Sequence, residues 1–152
     1  MKAMKIVPAV LVLLSFLFAG NTSAQDLGIY KFIDKPMSQV IQHYGKPAHQ
    51  DNSNPAMVCA FYQTKTYRYV FVSNQNGVFQ VEGNISFSSN SSAASAISKL
   101  ISELQTEGFE SDTVGTGDYN LSGPNVKMDL TLFENSYSKK YEVRIKANKS
   151  ES

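Results

Sequence analysis

The chain has 152 residues, 42% of them hydrophobic, with 14 basic against 13 acidic side chains and a single cysteine. That length suits one domain able to bury a core without covalent staples. The near-neutral charge and the lack of any basic stretch exclude a nucleic-acid footprint, and one cysteine excludes a disulfide within the chain.

Met1-Lys2-Ala3-Met4-Lys5 is a short basic start, Ile6 to Gly20 is almost wholly apolar, and Asn21-Thr22-Ser23-Ala24 is small and polar. Basic, apolar, small is the order of a secretory signal peptide. The apolar run falls short of the ~20 residues of a spanning helix. The expectation is a leader over 1–24 cut after Ala24, no membrane span after cleavage, and a periplasmic or secreted product. Cleavage removes Lys2 and Lys5 and no acid, which leaves 12 basic against 13 acidic residues and a net charge of −1.

The remaining chain reads as a single α+β domain over 25–147 with a disordered tail over 148–152. After a lead-in from Gln25 to Lys35, Met37, Val40, Ile41 and Tyr44 fall on one helical face. Pro36 suits the first turn of that helix, and Gly45 with Pro47 stops it. His49 to Pro55 reads as a polar loop. Strands follow over Met57–Tyr62, Tyr67–Val72 and Val78–Phe87, the last two joined by an Asn76-Gly77 turn. Gly83 suggests a bulge or bend in the third strand. Ala93, Ala96, Ile97, Leu100, Ile101 and Leu104 give a second helix over 92–107, closed by Gly108 and Phe109. Thr113 to Leu121 reads as one strand weakened by Gly115 and Gly117. Alternation over Val126–Phe133 and Lys140–Ala147 makes a final hairpin with one buried and one wet face. A four-residue turn there sets Glu134 against Lys139 and Asp129 against Arg144. The predicted architecture is an antiparallel sheet packed by two helices in the order α-β-β-β-α-β-β-β, with 34–87 and 88–147 as two similar halves.

The segment from Met37 to Pro47, Met-Ser-Gln-Val-Ile-Gln-His-Tyr-Gly-Lys-Pro, resembles the helix motif of the small-protein-A outer-membrane-assembly lipoproteins (BamE-like). Tyr69-Val70-Phe71-Val72 leading to Gly77-Val78 is similar to the hydrophobic hairpin that follows it there. The resemblance spans 36–47 and 67–82. It places the chain near a wider group of extracytoplasmic α+β modules that includes β-lactamase-inhibitor-like domains. It implies that the chain binds another protein and carries no catalysis. The chain departs from the lipoproteins in having no cysteine at the end of its leader.

The residues themselves give no hydrolase elbow and no paired acids for general acid–base work. His43 and His49 lack the spacing of a helical zinc pair and read as a flank residue and a loop residue. Asp51-Asn52-Ser53-Asn54 lacks the glycine and distal glutamate of a calcium loop. Accordingly no catalytic residue, metal or cofactor is nominated. Cys59, inside Met57-Val58-Cys59-Ala60-Phe61, reads as a buried free thiol.

The first two strands are apolar at both parities. Met57, Cys59, Phe61, Tyr69 and Phe71 share one, and Val58, Ala60, Val70 and Val72 the other. Phe61, Tyr62, Tyr67, Arg68 and Tyr69 have the tyrosine and arginine bias of interface hot spots. The expected function is a non-enzymatic protein-binding module using those five residues, its partner another envelope protein or a second copy of the chain. The alternative is a small-ligand carrier with a pocket between helix 92–107 and the sheet. N-terminal sequencing of the exported protein is expected to begin at Gln25; a product that retains Lys2 and Lys5 contradicts cleavage.

Overall fold

A computed structural model describes residues 26–151. The expected leader and its expected cut after Ala24 lie outside the described residues. From Asp26 the chain enters a 3-10 turn over Gly28–Phe32, which buries Ile29 and Tyr30. Helix α1 (Met37–Tyr44) follows Pro36, a residue without an N–H that suits a helix start, and ends at Gly45 with φ 80°. Val40 is its fully buried residue.

Strands β1 (His49–Asp51), β2 (Val58–Gln63), β3 (Tyr67–Asn74) and β4 (Gly77–Phe87) then form an antiparallel meander. The stretch expected as a loop thus begins with a three-residue edge strand paired to β2, with His49 opposite Phe61. Asn74 Oδ1 accepts from Asn76 N–H at 2.8 Å, and Gly77 takes φ 121°, closing the β3–β4 turn. The irregularity expected at Gly83 lies instead at Phe79 of the same strand: Val72 pairs with Gln80 and Ser73 with Val78, so Phe79 is the extra residue.

Helix α2 (Asn90–Thr106) is capped by Ser89, whose Oγ accepts from Ser92 N–H at 3.1 Å. Ala93, Ile97, Leu100 and Leu104 are buried, while Ala96 and Ile101 flank them half-buried. Gly108 at φ 89° then lets Phe109 N–H bond to Leu104 O at 3.0 Å.

The second meander has four strands, one more than expected: β5 (Glu110–Gly115), β6 (Asp118–Ser122), β7 (Val126–Glu134) and β8 (Tyr141–Lys149). The two glycines that weakened the reading of 113–121 mark a tight turn there, where Gly117 has φ 81° and Thr113 pairs with Tyr119. The last hairpin also differs in register. Asn135 Oδ1 accepts from the N–H groups of Tyr137 and Ser138, Lys139 takes φ 55°, and Asn135 N–H bonds to Lys140 O. The turn is therefore longer than four residues. Glu134 pairs with Tyr141, Asp129 with Lys146, and Thr131 with Arg144. The expected disordered tail also begins too early, since Asn148 and Lys149 complete β8, and Lys149 pairs in charge with Asp34.

All eight strands make one antiparallel sheet in the order β1-β2-β3-β4-β8-β7-β6-β5. The last strands of the two meanders meet at its centre, and both helices and the 3-10 turn pack on one face. Phe71, Val81, Ile85, Val143, Ile145, Met128 and Leu130 form the sheet's side of the core, each at most 1% exposed. Burying such a side chain contributes roughly 1.5–3 kcal/mol. Gly83 is the gap in this layer. A Cβ there would stand 2.7 Å from Ile29 Cδ1 and 3.0 Å from Tyr69 Cδ1. Gly83→Ala is expected to destabilise the fold by about 1–3 kcal/mol through overpacking, read as a lower urea midpoint; an unchanged or higher midpoint contradicts this packing.

Candidate functional site

Side chains on a strand alternate between faces, and directly opposed residues of neighbouring strands share a face. Phe61 pairs with Val70, Tyr62 with Tyr69, and Ala60 with Phe71. Odd positions of β2 therefore lie beside even positions of β3. The expected grouping of Phe61 with Tyr69 by common parity is corrected by this register. Phe61, Val70 and Arg68 point to the open face, and Tyr62, Tyr67 and Tyr69 to the helix-covered one.

Two of the five expected surface residues are thus core. Tyr62 is 5% and Tyr69 1% exposed. Their hydroxyls are spent inside: Tyr62 donates to Gly45 O at 2.9 Å and Tyr69 to Asp26 O at 2.8 Å. Around them Phe32, Tyr44 and Phe71 complete an aromatic layer with ring centroids 5.5–5.6 Å apart. Tyr67 is half-buried and stacked on Tyr69, with centroids 4.3 Å apart and planes 11° apart.

Asp26 ties this layer to the start of the domain. Its Oδ1 accepts from Gly28 N–H at 2.7 Å, and its Oδ2 accepts from the Tyr44 hydroxyl at 2.8 Å. His43 Nε2 lies 3.9 Å from the same Oδ2. One residue therefore fixes the 3-10 turn, the end of α1 and β3 together, a role that the sequence alone does not signal. Burial first, and then the Asp26 charge, push the Tyr44 and Tyr69 phenols well above the ordinary range.

Beside this hub a cleft of ≈ 560 Å³ opens between α2 on one side and the 3-10 turn with the end of α1 on the other, floored by Tyr67 and Tyr69 and walled by Ala96 and Leu100 of α2. Lys31, His43, Lys99 and Glu103 also line it. It lies where the alternative reading set a pocket, between α2 and the sheet.

The opposite face of the sheet carries no helix among the described residues. There a shallow depression of ≈ 740 Å³ is lined by Phe61, Arg68, Val70, Glu82, Asn84 and Arg144, among others. Phe61 and Val70 are half-buried, and Arg68 and Arg144 are exposed. Much of its charge is already oriented. Lys146 reaches Glu82 at 3.8 Å, and Gln80 donates to Glu82 at 2.8 Å. Asn135 donates to Glu142 at 2.7 Å, and the Arg144 guanidinium lies 5.0 Å from the Phe133 ring centre. In the amide orientation that satisfies its neighbours, Asn84 accepts from Arg68 Nη2 at 3.1 Å.

His49 sits on this face beside Phe61, at 5.5 Å between rings, whereas His43 is on α1. The two histidines thus stand on opposite sides of the sheet and cannot serve one substrate. Cys59 shares the open face with Val72 and is half-buried rather than buried. Partial burial, with Asp51 as the smaller cause, raises its thiol pKa, which disfavours the nucleophilic thiolate. No helix among the described residues is long and apolar enough to cross a membrane.

No protein-family model matches the chain, and no curated protein does. Solved structures similar to it include two bacterial proteins. One is a cysteine-rich secretory protein from Staphylococcus aureus subsp. aureus Mu50, at 10% identity and TM-score 0.47 over 80% of this chain and 44% of that one. The other is an extracellular protein containing a SCP domain from Bacillus anthracis str. Ames, at 11% identity and TM-score 0.43 over 95% of this chain and 49% of that one. The chain spans about half the length of each.

The buried phenols set an alkaline limit. Their pKa values are higher folded than unfolded, so the stability they lend is complete below the unfolded value of ~10 and is lost as pH climbs above it. Urea midpoints are expected to fall steeply above that pH. Tyr44→Phe is expected to cost about 1.5–3 kcal/mol at neutral pH, the worth of a hydrogen bond to a charged acceptor, and to soften the alkaline fall. An alkaline profile unchanged by Tyr44→Phe contradicts the assignment.

Proposed function

We propose that the chain is an exported, non-enzymatic module that binds another protein through the open face of its sheet. The observation that carries this reading is the half-buried apolar pair Phe61 and Val70, on a face that no helix among the described residues covers, set beside the exposed guanidinium of Arg68. Apolar surface next to oriented arginines is the composition of an interface centre. A rigid sheet presents it with little conformational entropy to lose on docking. Of the five residues first nominated, Phe61 and Arg68 serve this surface. Tyr62 and Tyr69 support it from beneath, and Tyr67 belongs to the other side.

The leader-like residues 1–24 support export, and the likeness of 36–47 and 67–82 to BamE-like modules supports a binding role. The partner is another envelope protein. The helix-then-meander order repeated along the chain supports reading 34–87 and 88–147 as similar halves joined at β4 and β8.

A photocrosslinking residue at position 70, in cells, is expected to capture one partner protein, while the same group at Ser98 on α2 captures none. Arg68→Glu is expected to lower the yield while keeping stability within about 0.5 kcal/mol, as for an exposed site. No adduct from position 70, or the same adducts from position 98, contradicts the proposal.

A further inference from the structure

On the helix side of the sheet, away from the proposed protein-binding face, the cleft between the 3-10 turn and α2 has the makings of a second site. Its volume of ≈ 560 Å³ falls within the ~300–1,000 Å³ typical of small-molecule pockets. Its floor is a ring already held flat: Tyr67 stacks on Tyr69 at 4.3 Å, and the Tyr69 hydroxyl is fixed to Asp26 O. The hydroxyls of Tyr30, Tyr44, Tyr62 and Tyr69 all donate to protein acceptors. That of Tyr67 makes no hydrogen bond among the described residues, and the ring is half-buried. Ala96 and Leu100 add an apolar wall.

The polar groups of the cleft are unequal in what they have left to give. Asp26 already accepts from Gly28 N–H and the Tyr44 hydroxyl. Lys31 and Lys99, one from each side, make no hydrogen bond among the described residues. Lys31 lies 5.7 Å from the Tyr30 ring centre, and Lys99 stands 4.0 Å from Glu103 with its side chain 80% exposed. The unspent donors are therefore two ammonium groups, the Tyr67 phenol and the His43 ring, which stands 3.9 Å from Asp26 Oδ2, above an aromatic floor.

We propose that this cleft binds a planar aromatic anion, its ring against Tyr67 and its charged group between Lys31 and Lys99. The ring gains dispersion and offset stacking, and the anion gains charge-assisted hydrogen bonds. Asp26 and Glu103 balance the lysines in formal charge, so the affinity is modest and falls with added salt.

The test is titration with 2-naphthoate and its neutral isostere 2-naphthamide, followed by amide NMR and calorimetry. Naphthoate is expected to bind saturably at one site, shifting resonances of Lys31, Tyr67 and Leu100 and not those of Val70. Naphthamide is expected to bind about tenfold more weakly, the worth of one charge-assisted contact. Lys31→Gln with Lys99→Gln should bring naphthoate down to the naphthamide level. Tyr67→Ala should weaken both ligands, and Tyr67→Phe, which keeps the ring, should stay within about threefold of the parent. Equal affinity for the two ligands, indifference to the double lysine change, shifts centred on Phe61 and Val70, or no saturable binding would each overturn the proposal.

Discussion

The pairing of β4 with β8 is the constraint on which the rest of the structure depends. It runs from Gln80 opposite Asn148 to Phe87 opposite Tyr141 and joins two meanders that are otherwise local in sequence. Its alternation is strict. Val81, Gly83 and Ile85 meet Ala147, Ile145 and Val143 beneath the helices, while Glu82, Asn84 and Ser86 meet Lys146, Arg144 and Glu142 on the open face. A one-residue slip of β8 would turn Val143, Ile145 and Ala147 outward and bury Glu142, Arg144 and Lys146. The same register puts Gly83 under Ile29 and Tyr69, so the seating of the 3-10 turn follows from it.

Those elements with a strong period were legible in the sequence. Both helices, the Asn76-Gly77 turn and the strands of the final hairpin follow from apolar spacing and glycine positions, since these are local properties of the chain. Register was not legible, because it is set by pairs far apart or by turn geometry. A four-residue turn after Glu134 was a reasonable expectation. The Asn135 carboxamide, by accepting two backbone N–H groups, stabilises a longer one and moves Asp129 from Arg144 to Lys146. The short β1 strand was hidden for a similar reason, as His49-Gln50-Asp51 has no strand-like composition and is held by its partner β2.

The candidate surface was half legible, and the error is instructive. Tyrosine and arginine mark a candidate surface by composition, but parity within each strand could not say which odd residues of β2 meet which residues of β3. The pairing of Phe61 with Val70 splits the marked residues between two faces. Strand β3 therefore serves both: Arg68 and Val70 look outward to the open face, and Tyr67 and Tyr69 look inward to the cleft. Asp26 escaped notice because an acid in an irregular lead-in has no periodic signal. Its three hydrogen bonds are nonetheless what holds that lead-in against the aromatic layer.

The central claim is that adjacent residues of β3 face opposite environments, one open and one sealed. Thiol labelling tests it most directly, in a Cys59→Ser background carrying a single new cysteine at position 70 or at position 71. The account predicts that Val70→Cys reacts from the native state, while Phe71→Cys, in place of a ring that is 0% exposed, reacts only through unfolding and slows as stability rises. Equal rates at the two positions, or faster labelling at 71, would contradict it.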